Sequence, residues 1–295
     1  MAVSPFWTTE SAPMLRAVDA GQCPVLVSGA GAATRAHLAA ALQKNLAAPL
    51  FVVCPDDSAA EVFQRDLEAL LREPVTLLQS REFTFYSADS ASRSAEQKRL
   101  AALDALAREA APVTVCTAAA LLQRSIPKQK LLSAAFDIAD GQEISIEAVE
   151  NSLLNCGYVH RLQVDGPGQY SRRGGILDIF SPALSNPVRM EFWGDEIDSM
   201  GTFDLNSQRR IENIPSCRIL PAAETLPQLF AGGETALADL LDEEAVKAAK
   251  SRSEEKHKLA ANLRADAEKL REKLPLPAAD RYMGFIYTEF TCALE

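Results

Sequence analysis

The chain has 295 residues, 47% of them hydrophobic, and a formal net charge of −10. That length accommodates one large domain or two smaller ones with real cores, and the acidic balance excludes a protein that holds nucleic acid non-specifically through an overall basic surface. No apolar run approaches the ~18–20 residues that span a bilayer, and Met1 to Asp19 has no basic stretch leading into an apolar one, so neither a membrane span nor a signal peptide is expected and the chain reads as cytoplasmic.

The first part of the chain reads as α/β. Pro24 to Ser28 is expected to be a short buried strand that ends in the turn Gly29-Ala30-Gly31. A helix follows from Arg35 to Asn45, with Leu38, Ala41 and Leu42 on one face. Leu50 to Cys54 is the next strand. Asp57 or Ser58 is placed to cap a helix running to about Leu71, whose Val62, Phe63, Leu67 and Leu70 recur at helical spacing. Val75 to Leu78 and Val113 to Cys116 are further strands, the latter preceded by a helix from about Ser94 to Ala111. Unalternating apolar strands interleaved with helices imply a parallel sheet covered on both faces.

The first strand, turn and helix stand where a phosphate-binding loop would stand. Such a loop needs backbone N–H groups around the phosphates, a Lys on the terminal ones and a Ser or Thr on Mg²⁺. With Gly31 as the last glycine of that pattern, the first becomes Leu26, the Lys becomes Ala32 and the Ser/Thr becomes Ala33. Gly29, Gly31, Ala32 and Ala33 are therefore a relic loop without charge or metal ligand. No motor motif is seen elsewhere, so no phosphoryl transfer, cofactor or metal is expected. The six scattered cysteines form no C-x-x-C pair, and no His stands at ligand spacing. Cys54 and Cys116 end apolar runs and read as buried free thiols.

The pattern changes near Ser133. Ser145 is placed to cap a helix from Ile146 to about Asn155, ended by Gly157. Short strands follow near His160–Val164, Tyr170–Arg173, Ile176–Phe180, Val188–Phe192 and Glu196–Phe203, punctuated by Gly166-Pro167-Gly168, Gly174-Gly175 and Ser185-Asn186-Pro187. The expected division is residues 1–132 and 221–295 for the α/β domain and 133–220 for a small α+β domain inserted in it. From Glu224 the chain reads as helical. Asp242 to Leu274 forms one charged helix with a narrow stripe of Leu259, Leu263, Ala267, Leu270 and Leu274, stopped by Pro275 and Pro277.

The meander holds the densest concentration of recognition chemistry. Arg172 and Arg173 precede the Gly174-Gly175 turn, which presents guanidinium groups at a strand end. Arginine suits such a position because its planar fork pairs two oxygens of a carboxylate. Arg189 opens the next strand, and alternation puts Glu191 and Trp193 on its face, with Phe192 between them and Asp195, Glu196 and Asp198 just beyond. Trp and Arg are enriched in binding hot spots. The same residues also fit an internal ion-pair ladder that keeps a small sheet in register, with Phe192 or Trp193 in the core.

The stretch from Gln169 to Phe180 and from Arg189 to Asp198, with Phe203-Asp204 and Ser207-Gln208-Arg209, closely resembles the transcription-repair coupling factor family and its relative UvrB. The resemblance runs from the relic loop to Ala278–Tyr282. It implies a degenerate P-loop NTPase-like, UvrB-like α/β domain carrying an inserted α+β domain that docks on UvrA in nucleotide excision repair. It puts the UvrA contacts on Arg173, Arg189 and Trp193, where relatives commonly have Phe. Phe192 flanks them, and Arg172 stands at a varying position. Arg81 to Ser87 is too short for the long aromatic hairpin of UvrB, so Phe83, Phe85 and Tyr86 are expected to pack their loop onto the sheet, with stacking on nucleic acid as the alternative. The resemblance covers only the N-terminal module of such a factor. RNA polymerase and DNA would be partners of domains absent from this sequence. The function implied is non-catalytic recruitment. An ATP-dependent DNA-processing enzyme and an intramolecular autoinhibitory module are the alternatives.

Overall fold

The computed structural model describes residues 5–45, 48–81, 94–276 and 278–294, and Phe83, Phe85 and Tyr86 lie outside them. In chain order the elements begin α1 (Pro5–Asp19), α2 (Ala32–Asn45), β1 (Leu50–Cys54), α3 (Asp57–Leu71), β2 (Thr76–Leu78), α4 (Ser94–Ala107), β3 (Val113–Thr117) and α5 (Ala118–Leu122). They continue with α6 (Lys128–Ala134), β4 (Phe136–Ala139), α7 (Ile146–Asn155), β5 (Val159–His160), β6 (Gln169–Arg173), β7 (Ile176–Phe180), β8 (Val188–Trp193) and β9 (Glu196–Phe203). The last are β10 (Arg210–Asn213), β11 (Ser216–Ile219), α8 (Gly233–Ala249), α9 (Glu254–Arg271) and α10 (Met283–Ile286). The described residues form two compact units, one from 5–81 with 102–123 and the other from 94–101 with 124–293.

In the first unit β1, β3 and β2 lie side by side in that order, all parallel. Leu50, Val52, Val113, Val115 and Leu77 meet Ala39 and Ala40 of α2 and Ala60, Leu67 and Leu71 of α3. The small alanines let α2 approach closely, and α3 supplies the larger apolar stripe. The cap of α3 is Asp56, one residue before the nearer of the two candidates, with its Oδ1 accepting the Ala59 N–H at 2.7 Å. Asp57 instead accepts from Ser80 Oγ at 2.6 Å and Thr117 Oγ1 at 3.3 Å. Cys54 and Cys116 are buried, as expected.

Three expectations fail in this unit. Pro24–Ser28 is not a strand, and its side chains face solvent, Leu26 being 92% exposed. With no neighbouring strand among the described residues, the run has nothing to bury its apolar side chains against. The sheet is also not covered on both faces at β1, where Phe51 and Val53 are exposed. The helix ahead of β3 ends at Ala107, short of Ala111, and Glu109 takes a left-handed backbone just beyond it (φ 57°).

The second unit is built on a six-stranded sheet in the order β10-β9-β8-β7-β6-β5, antiparallel except for β5 with β6. Strand β5 is only two residues, so the expected strand to Val164 ends early. Strand β11 pairs with β4 in a separate two-stranded sheet. Alternation puts Tyr170, Leu177, Ile179, Val188, Met190 and Met200 on one face of the large sheet, all buried. Helix α7 is tied to that side through Arg172, which pairs with its Glu147 and Glu150. Ser145 caps it, its Oγ accepting the Ala148 N–H at 3.2 Å, and Gly157 (φ 79°) follows its end, as expected.

The single charged helix expected over Asp242–Leu274 is two helices. Ser251-Arg252-Ser253 separates α8 from α9, because serine competes for backbone hydrogen bonds and Glu254 and Glu255 favour a fresh N-terminus there. The helices pack together, with Leu263, Ala267 and Leu270 of α9 buried and Leu237, Leu241 and Ala245 of α8 buried likewise. At the end of α9, Arg271 reaches back to Asp239 at 2.8 Å and Asp242 at 2.7 Å. Leu259 and Leu274, counted in the apolar stripe, stay about half exposed.

Candidate docking surface

The face of the large sheet opposite the buried one is polar. Register sets Asp178 opposite both Ser171 and Arg189, and Ile176 opposite both Arg173 and Glu191. Between β8 and β9 the pairing shifts after Glu191, and the extra residue falls on β9. Alternation along β8 therefore runs on, and Arg189, Glu191 and Trp193 share this face. Phe192 and Arg172 have the opposite parity and turn to the other side.

Asp178 is the pivot of the face. A carboxylate in the middle of the strand Ile176-Leu177-Asp178-Ile179-Phe180 is only 1% exposed. Its Oδ1 accepts Arg189 Nε at 2.7 Å, and its Oδ2 accepts Arg189 Nη2 at 2.9 Å and Arg173 Nη2 at 2.8 Å. A buried carboxylate is tolerable only when paired and hydrogen-bonded in this way. Arg189 also donates to Gln208, from Nη2 to Oε1 at 3.2 Å and from Nη1 to the carbonyl oxygen at 3.4 Å. Its guanidinium lies 4.5 Å from the centre of the Phe203 ring, within cation–π range. The hydrogen bonds to Asp178 hold the Arg189 pKa above the ordinary arginine value, outweighing the opposing effect of burial.

Arg173 is differently placed. It is tied to Asp178 by one nitrogen, and its side chain is 49% exposed beside the Gly174 turn, where φ is 61° and glycine suits the left-handed backbone. Trp193 stands at the hairpin between β8 and β9 and is 82% exposed, so it belongs to no core. Arg210 crosses the same face, donating to Ser199 Oγ at 3.1 Å and pairing with Glu191 at 3.4 Å. Gly201 makes this passage possible. A Cβ there would lie 2.6 Å from the Glu212 carbonyl oxygen and 3.0 Å from Arg210 Nε.

Of the residues singled out by sequence, Arg173, Arg189 and Trp193 come together on one face. Arg172 serves another purpose, bridging to Glu147 at 2.6 Å and Glu150 at 2.5 Å of α7. Those two carboxylates raise its pKa. Phe192 is half buried, with its N–H donated to the Gly175 carbonyl at 2.7 Å. Asp178, Phe203, Gln208 and Arg210 were missed as members of the surface. Asp178 had a readable signal, a lone acid inside an otherwise apolar strand.

Gly29 and Gly31 lie in the loop ahead of α2. Helix α2 starts at Ala32, and among the described residues no group of His, Cys, Asp or Glu is placed to hold a metal ion. A cleft of about 600 Å³ in the second unit is lined by both apolar and charged groups. Its acids are engaged locally: Glu96 accepts the Glu224 N–H at 2.8 Å, Asp280 accepts from Thr225 at 2.9 Å, and Glu234 accepts from Gln228 at 3.1 Å.

Residues 136–224 match the family described as the UvrB interaction domain, which takes in the whole large sheet. The transcription-repair-coupling factor of Myxococcus xanthus is 34% identical over 225 residues, 72% of this chain and 19% of its own length. That of Escherichia coli (strain K12) is 32% identical over 207 residues, covering 70% of this chain and 18% of the relative. That of Bacillus subtilis (strain 168) is 29% identical over 274 residues, covering 92% of this chain and 23% of the relative. The chain thus spans about a fifth of the length of the curated relatives it matches. Residues 136–224 are thus similar to the UvrB interaction domain, and most of the chain is similar to a part of the transcription-repair-coupling factors.

Proposed function

We propose that the polar face of the large sheet is a docking surface for UvrA, and that the chain serves nucleotide excision repair as a non-catalytic recruitment module. The observation that carries this reading is the pairing of a half-free guanidinium, Arg173, with an exposed indole, Trp193, on one face inside the matched domain. Aromatic and arginine anchors of this kind dominate binding energies. We assign the docking role to residues 133–220, inserted between residues 1–132 and 221–295 of a UvrB-like α/β platform. The platform's loop at Gly29–Ala33 is read as a phosphate loop that has lost its lysine and its metal-binding hydroxyl, with Ala32 and Ala33 in their places. RNA polymerase and DNA are assigned to the remaining four fifths of a full-length relative. A cytoplasmic location suits such partners, and among the described residues no helix is long and apolar enough to cross a membrane.

Calorimetric titration of the chain with UvrA tests the reading. Micromolar or tighter binding is expected, and Arg173→Ala with Trp193→Ala should weaken it by about 2 kcal/mol or more. A folded chain that does not bind UvrA would sink the proposal. ATP hydrolysis by the chain in the presence of DNA would sink its non-catalytic part.

A further inference from the structure

The stretch matched at residues 136–224 is joined to the rest of its unit by two passages of chain. Residues 124–126 lead toward it through α6, and residues 224–226 lead out of it. Neither passage is helix or strand, yet Ser125, Ile126, Glu224, Thr225 and Leu226 are all buried. Buried backbone groups outside regular structure must find partners elsewhere.

One segment near the end of the second unit partners both passages. The Tyr287 hydroxyl donates to the Glu224 carbonyl at 2.9 Å and accepts the Leu226 N–H at 3.2 Å, and the whole side chain is buried. At the other passage the Thr291 carbonyl accepts the Ser125 N–H at 3.0 Å, and the Thr291 hydroxyl donates to the Ser125 carbonyl at 2.8 Å. Arg124 spans the segment between these points, donating Nη2 to the carbonyls of Tyr287 and of Glu289, the latter at 3.1 Å. The exit passage is also held from α4 and from Asp280. The Glu224 N–H reaches Glu96 at 2.8 Å, its carboxylate lies 3.4 Å from the fully buried Arg99, and Thr225 Oγ1 donates to Asp280 at 2.9 Å.

From this geometry we infer that residues 287–291 are a latch that holds the entry and the exit of the matched domain at once. The inference does not rest on the docking reading. One hydroxyl serves two buried backbone groups, so withdrawing Tyr287 removes a partner from both the Glu224 carbonyl and the Leu226 N–H, and a buried group left unpaired is costly. Arg124 and Tyr287 sit on the same strap, so a disturbance at one passage reaches the other although the two passages share no hydrogen bond through Arg124 itself. Release of the strap loosens both joints of the domain together while its sheet stays folded, as local opening of a cooperative unit does.

Hydrogen exchange of the whole chain, read by mass spectrometry, tests the coupling. Arg124→Ala leaves the Tyr287 hydroxyl in place and removes no group that touches Leu226. It is expected to speed exchange about tenfold in peptides containing Leu226 as well as in those containing Ser125, with β6 to β9 keeping their protection. Tyr287→Phe should do the same in the opposite direction, acting on Leu226 directly and on Ser125 through the strap. Acceleration at Ser125 alone in the first variant, and at Leu226 alone in the second, would overturn the latch and leave two independent contacts. An unprotected Leu226 amide in the unaltered chain would overturn it as well. Thr291→Val keeps the shape of a half-buried threonine and carries the same test at Leu226 if either of the other variants fails to fold.

Discussion

The two larger sheets among the described residues solve the same problem to different degrees. The six-stranded antiparallel sheet has one apolar face in a core and one polar face whose charges satisfy one another, from Asp178 through Arg189 to Gln208. The three-stranded parallel sheet has one face closed by α2 and α3, while Phe51 and Val53 of β1 face outward. An antiparallel sheet can stand with one wet face if that face is polar, whereas a parallel sheet is ordinarily covered on both sides. The first sheet therefore displays a surface made for solvent or a partner. The second displays apolar side chains that gain nothing from solvent.

Substitutions can break this contrast, and the largest effect is expected where the antiparallel sheet is most enclosed. Leu177 is fully buried, and Leu177→Ala should cost about 3 kcal/mol in urea unfolding through lost transfer energy and the cavity left behind. An effect below about 1 kcal/mol would mean that this face is loosely packed. Next comes the polar face. Asp178→Ala strands Arg189, whose side chain is 19% exposed, without its carboxylate. A fully buried pair broken in this way costs about 3–5 kcal/mol, but the partial exposure of both arginines reduces the expectation to about 2 kcal/mol. Unfolding at low and high salt measures it, and a neutral result would show that the ladder adds nothing to the sheet.

Alkaline pH sharpens the comparison between the units. Burial pushes the Cys116 thiol of the first unit up from 9.0 to about 11, and the Cys156 and Cys217 thiols of the second up to about 12. The folded state keeps these thiols protonated where the unfolded chain already ionises. Their contribution is complete below pH 9 and is lost progressively as the pH rises through about 11 and 12. Stability measured from pH 8 upward should fall over that window. At pH 8 exposed Cys23 should react with a thiol reagent while Cys116, Cys156 and Cys217 stay silent until the chain unfolds.

The legibility of the sequence divides along the same line. In the antiparallel meander the strands are short apolar or alternating runs and each turn has its glycine or proline, so β6, β7, β8 and β9 came out close to their observed limits. The anchors Arg173 and Trp193 were legible for the same reason. The Asp178 tie was not, because two strands had to be put in register before its oxygens could be seen between two arginines. In the parallel unit, Pro24–Ser28 has the composition of a strand, but composition cannot supply the neighbour that makes one. The break between α8 and α9 was hidden by charge on both sides of Ser251–Ser253, which reads as a continuous solvated face.

The smallest effect is expected on the outer face of β1, and it decides whether that face is free. Phe51 is 42% and Val53 55% exposed, so polar replacements remove little buried area. Phe51→Ser and Val53→Thr should each change stability by no more than about 0.5 kcal/mol, as surface substitutions away from special features do. The neighbouring Val52, which packs on the core of α2 and α3, provides the internal control, since Val52→Ala removes methyl groups from a packed interior and should cost about 1–2 kcal/mol. If Phe51→Ser and Val53→Thr cost as much as Val52→Ala, the outer face is covered in solution and the two sheets differ less than they appear. If they are neutral or improve solubility while Val52→Ala destabilises, β1 carries an open apolar face, and the contrast with the hydrogen-bonded polar face of the six-stranded sheet stands.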